Sequence, residues 1–135
     1  MDKQLLGSVG SVFASRAEME QGTLTGKAVA PGTVQYHPGA PKFWVNFAGA
    51  DGAINASHNV TSVAKNSTGN YTVTVATDFS SANWTPQVSI EISAQQWVCR
   101  IDSKTAGTVT IVCWSTVDNA AVDPTAIFVS GFGDQ

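Results

Sequence analysis

The chain has 135 residues, a formal net charge of −3 and only 13% charged side chains, about half the fraction usual in soluble domains. One domain of this length buries enough surface for a core without metal or cross-link, and 43% hydrophobic residues with four Trp exclude disorder of the whole chain. The acidic balance leaves no basic footprint for nucleic acid, and no apolar run approaches the roughly 20 residues of a membrane span.

Residues 1–35 read as a partly helical arm and residues 36–135 as a β-domain. In the arm, Leu5, Leu6, Val9, Val12 and Phe13 recur at helical spacing, although Gly7 and Gly10 weaken that helix. The same stretch superficially fits a secretory signal ending at Val12-Phe13-Ala14, but Asp2, two Gly and two Ser argue against one. With no secretion expected, the Asn-x-Ser/Thr triplets at Asn55, Asn59, Asn66, Asn70 and Asn83 read as turn asparagines rather than glycan acceptors. Ser15 and Glu18 have capping-box spacing for a helix through Gln21, with Gly22 as its stop. So short a helix must dock, either on its own domain or on another subunit.

Ala30-Pro-Gly-Thr33 and His37-Pro-Gly-Ala-Pro41 read as turns. Strand patterns follow from Lys42 onward. Phe43, Val45 and Phe47 alternate with Trp44, Asn46 and Ala48, and a stretch from Ile54 to Val63 comes next. Tyr71, Val73 and Val75 alternate with Thr72, Thr74 and Ala76. Asn83-Trp-Thr-Pro86 reads as a break, and Val88, Ile90 and Ile92 then share a face opposite Ser89, Glu91 and Ser93. A hairpin sets Trp97, Cys99 and Ile101 against Val109, Ile111 and Cys113 around a turn at 102–107, and a last strand runs over 125–132. Seven or eight short strands with no helix between them predict an all-β fold, an antiparallel β-sandwich of jelly-roll-like kind with a short N-terminal helical arm.

No motif for catalysis, cofactor or metal stands out. Most carboxylates fall in predicted turns, Glu91 sits on a solvent-facing strand face, and neither His37 nor His58 has a partner at ligand spacing. The chain is therefore expected not to be an enzyme and to need no cofactor. Cys99 and Cys113 share a hairpin face, so a cross-strand bond is geometrically open, but two buried thiols are the expectation. Trp44 lies opposite Phe43, Val45 and Phe47, and Trp114 opposite Val109, Ile111 and Cys113, so both must meet something besides the sandwich core. Trp44, Trp84 and Trp114, with Leu5, Leu6, Val9 and Phe13 of the arm, are the candidate contact residues. The expected contacts, in order, are a second subunit, the arm and a glycan.

Two stretches carry a family resemblance. One runs from Arg16-Ala-Glu-Met-Glu-Gln-Gly-Thr23 through Ala30-Pro-Gly-Thr-Val-Gln-Tyr-His-Pro-Gly39 to Lys42-Phe-Trp-Val-Asn-Phe47, continuing at Ile54–Val63 and Gly69-Asn-Tyr-Thr-Val73; the other is Val129-Ser-Gly-Phe-Gly-Asp134. The chain resembles small β-domains of bacteriophage tail-fibre-like virion proteins. The resemblance implies a non-enzymatic virion component, assembled in the host cytoplasm, commonly a homotrimer, that attaches to other virion proteins or contacts host-surface polysaccharide. It supplies no catalytic residues. Such fibres carry a long shaft ahead of the domain, whereas about 35 residues precede it here. A compact tip or spike, or a capsid or tail decoration or adaptor, is the implied form. A monomeric carbohydrate-binding sandwich is the alternative from a different class.

Overall fold

The computed structural model describes residues 12–23, 25–92 and 96–135. The chain divides into two units, 1–40 and 41–135. In the first, the capping box forms as its spacing predicts. Ser15 Oγ accepts from the Glu18 amide at 3.3 Å, and Glu18 Oε2 accepts from the Ser15 amide at 2.8 Å. These bonds start helix α1, Arg16–Gln21, which Gly22 ends in the left-handed region at φ 63°. The stretch Ala30–Thr33 is more than a turn: Pro31 opens a one-turn helix α2, Pro31–Val34. The helix expected around Leu5, Leu6 and Val9 lies outside the described residues. At its end, Phe13 forms a parallel bridge with Ala28 instead of a helical turn, and Phe13 is half exposed.

The second unit is the expected all-β sandwich of two four-stranded antiparallel sheets. Sheet 1 has the order β2-β1-β8-β5 and sheet 2 the order β3-β4-β7-β6. The strands are β1 Phe43–Ala48, β2 Ile54–His58, β3 Val60–Ser67, β4 Asn70–Val75, β5 Thr85–Glu91, β6 Trp97–Lys104, β7 Thr108–Ser115 and β8 Ala126–Phe132. Hairpins β1–β2, β3–β4 and β6–β7 stay within a sheet, while the chain changes sheets at the other connections. The predicted single stretch Ile54–Val63 is therefore two strands in different sheets. Asn59 makes the crossing in the left-handed region at φ 55°. Its Nδ2 donates to the Lys42 carbonyl at 2.9 Å, and its own carbonyl accepts from the Ala76 amide.

The inner faces follow the period of two. Phe43, Val45 and Phe47 of β1 meet Tyr71, Val73 and Val75 of β4, Val109, Ile111 and Cys113 of β7, and Ile127 and Val129 of β8, all buried. One end is closed by Phe79 and Trp84, stacked at 4.5 Å and 6°, with Phe43 edge-on to both. The rings reach this close because β8 yields space. A Cβ at Gly131 would stand 2.3 Å from Phe43, and one at Gly133 would stand 2.6 Å from Trp84. Burial of these aromatic faces is the main stabilising term, about 25 cal/mol per Å² of apolar surface.

Three expectations are corrected here. Trp84 is 3% exposed and donates its Nε1–H to the Thr105 carbonyl at 2.7 Å, so it is a core residue and meets neither a partner nor a sugar. The cysteines are not thiols: Cys99 and Cys113 face each other directly across β6 and β7, 4.1 Å apart at Cα, and are joined as a disulfide. Asn83–Pro86 does not interrupt the fold, because Pro86 lies inside β5, which is an edge strand and can spare the N–H.

Candidate functional site

The side chains that the sandwich core does not use on sheet 1 emerge in rows across its outer face. Register places His58, Trp44, Ser130 and Gln87 in one row, and Ala56, Asn46, Phe128 and Ser89 in the next. A groove of about 540 Å³ runs between β1 and β5 over β8, lined by Trp44, Asn46, Gln87, Ser89, Phe128 and Ser130 together with the backbone-side valines of the same strands. That volume is within the range of small-molecule sites.

Trp44 forms one wall. Trp44 is 42% exposed, and its indole is flanked by the His58 imidazole, stacked at 6.5 Å and 23°. Half-buried Phe128 gives the floor a second apolar surface. The polar groups are amides and hydroxyls only. Asn46 Oδ1 accepts from Asn55 Nδ2 at 3.2 Å, which fixes its orientation and leaves its amide N–H groups to the groove. Among the described residues, the side chains of Gln87, Ser89 and Ser130 take no partner within the protein. Among the described residues, neither lysine, arginine nor carboxylate lines the groove.

The other polar clusters are already paired. Tyr71 Oη is buried under β1 and lies 2.7 Å from the Gly49 carbonyl and 2.6 Å from Asp123 Oδ1, sharing its proton between two acceptors. Asp123 also accepts from the Gly69 amide at 2.8 Å and from Lys65 Nζ at 2.6 Å. Burial, and then the Asp123 carboxylate, push the Tyr71 phenol up. Burial alone would raise Asp123, but the Lys65 ammonium, the Tyr71 hydroxyl and the Gly69 amide together hold it below the ordinary carboxylate value. This is a structural clasp. In the first unit, a cavity of about 190 Å³ is lined by Ala14, Glu18, Met19, Lys27, Val29 and His37. Its charges are spent on each other, since Lys27 Nζ binds Glu18 Oε1 at 2.7 Å and, with the Ser15 amide, takes that carboxyl down to about 2. His37 Nδ1 accepts from the Gly39 amide at 3.0 Å, closing the turn that His37 begins. Among the described residues no three His, Cys, Asp or Glu side chains stand together as a metal site, and no helix is long and apolar enough to cross a membrane.

Of the residues singled out from sequence, the structure brings only Trp44 into the groove. Trp114 is on the outer face of sheet 2, with the Arg100 guanidinium 5.1 Å above its ring. Leu5, Leu6 and Val9 lie outside the described residues. Asn46, His58, Gln87, Ser89, Phe128 and Ser130 carry no motif. Register alone unites them, and the β1–β8 and β5–β8 pairings, which join segments far apart in the chain, were not readable from local pattern.

No family model and no curated protein matches the chain. Among solved structures, it is similar to the phiAB6 tailspike, crystallised with three-repeat oligosaccharides of Acinetobacter baumannii surface polysaccharide, at a TM-score of 0.47 and 18% identity. The similarity covers 71% of this chain and 20% of the tailspike chain. The chain thus spans about a fifth of that protein's length.

Proposed function

We propose that this chain is a non-catalytic, saccharide-binding β-sandwich of a phage virion, of tail-fibre or spike kind, contacting host-surface polysaccharide through the outer face of sheet 1. The observation that carries the reading is the Trp44–His58 platform set beside unpartnered Gln87, Ser89 and Ser130. A pyranose ring has an apolar C–H face and a rim of hydroxyls. The indole supplies the flat apolar surface, and the amides and hydroxyls supply donors and acceptors at the rim. All of them stand on paired strands, so little conformational entropy is lost on binding. The virion setting is supported by the sequence resemblance, and assembly as a homotrimer belongs to the same proposal.

The decisive test is titration of the purified chain with a panel of bacterial polysaccharide oligosaccharides, alongside Trp44→Ala. Wild type binds at least one member, and Trp44→Ala weakens it about tenfold or more, or about 1.4 kcal/mol. The unfolding free energy changes by no more than about 1 kcal/mol. Binding that survives Trp44→Ala unchanged removes the groove from the proposal. Light scattering checks the assembly: a constant mass of three chains on dilution supports the trimer, and a monomer refutes it for the isolated chain.

A further inference from the structure

Resting on the saccharide reading above, we infer that the groove selects uncharged saccharides and discriminates against uronate or other acidic sugars. An acidic sugar laid in the groove would surrender water around its carboxylate and needs a cation in exchange. In the sandwich, every cation is committed elsewhere. Lys65 is bound to Asp123 and the Ala50 carbonyl. Arg100 lies over Trp114 on the opposite outer face, and Lys104 donates to the Ala82 carbonyl and sits over the Trp84 ring. Lys42, just before β1, is buried and engaged.

Among the described residues, the one formal charge on the same face is negative. Glu91 is exposed at the end of β5, paired in register with Ala126 and two residues from Ser89 on the same side, hence about 7 Å along the strand. It repels a carboxylate placed over Ser89 and leaves a hydroxymethyl or N-acetyl group untouched. What the groove offers instead are neutral donors and acceptors: the free amide N–H groups of Asn46, the Gln87 amide and two serine hydroxyls. His58, flanking Trp44 at the far wall, is the other titratable group on this face. It contacts the indole rather than the row beside Glu91.

The test compares two series on the intact chain: neutral tetrasaccharides of glucose, galactose, mannose and N-acetylglucosamine, and uronate tetrasaccharides of matching linkage. Affinities are read by tryptophan fluorescence and saturation-transfer NMR at about 20 mM and about 300 mM salt, which bracket short and long screening lengths. At least one neutral member binds about tenfold or more tighter than its uronate partner. Glu91→Gln raises uronate affinity about two- to threefold at low salt, does less at high salt, and leaves the neutral series unchanged. Uronates that bind as tightly as neutral sugars, or that ignore Glu91→Gln, overturn the selection while saccharide binding stands. If neither series binds, both the selection and the saccharide reading fall.

Discussion

The two outer faces of the sandwich are built from the same charge-poor, hydroxyl-rich stock and end up opposite in character. On sheet 2, Thr72, Thr74, Thr108 and Thr110 form a cross-strand block. Thr72 and Thr110 hydroxyls lie 3.3 Å apart, and Asn66 Nδ2 bridges Thr72 Oγ1 and Asn70 Oδ1, each at 2.9 Å. Its Trp114 is covered by Arg100. Much of that face is paired with itself. On sheet 1, Trp44 is backed by His58 but open toward the groove, and Gln87, Ser89 and Ser130 spend nothing on neighbours. The difference is one of commitment: on sheet 1, polar groups are left unpaired beside an aromatic plane, as the proposed binding requires.

The comparison is tested hardest by pairing two tryptophans. Trp84→Ala empties the Phe43–Phe79–Trp84 cluster and leaves the Thr105 carbonyl without its donor, costing roughly 3–5 kcal/mol in urea unfolding. Trp44→Ala costs far less and acts on binding; the reverse order of stabilities would break the assignment of core and site. Next comes the cross-link. Replacing Cys99 and Cys113 together by Ser opens a loop of sequence separation 14, worth about 3 kcal/mol on the chain-entropy view. The loss lowers the denaturation midpoint, while saccharide affinity at 25 °C stays unchanged because the groove belongs to the other sheet.

A smaller effect separates clasp from groove by pH. The Asp123 carboxyl is depressed in the folded state, so its contribution is present above the ordinary carboxylate value of about 3.9 and is lost as pH falls through the folded value. Thermal melts of wild type fall below about pH 4, and Asp123→Asn, destabilised by about 1 kcal/mol at neutral pH, shows a flatter acid limb. The smallest effect is Trp114→Ala. It changes stability by no more than about 1 kcal/mol and leaves saccharide binding where it was. A drop in affinity matching that of Trp44→Ala would mean that the two faces are not different after all.

Much of the fold was legible because period-two alternation is strict in β1, β4 and β7, where one face is fully buried. The capping box at Ser15 and Glu18 was equally plain, being a local device. What stayed hidden was set by distant partners. Trp84 reads as a loop tryptophan until Gly131 in β8 and Gly133 just past it make room beside Phe43 and Trp84. The break at Asn59 has no Gly or Pro to mark it, since asparagine itself adopts the left-handed turn. The disulfide was open on parity and decided by register. Of the groove, only Trp44 was visible, as an aromatic on the wrong side of a core strand. Its companions are ordinary residues made notable by the strands that lie next to them.

Pro86 has a consequence beyond the fold. The Gly131 carbonyl turns to Lys42, toward β1, so Pro86, which pairs with Gly131 across β8 and β5, turns its own backbone to the free margin. At that margin the first position has no N–H to give. The opposite margin, β2, is only five residues long and follows an irregular register against β1. Each border of sheet 1 is thus interrupted, by Pro86 on β5 and by shortness and irregular register on β2, and such interruptions discourage a stray strand from adding there.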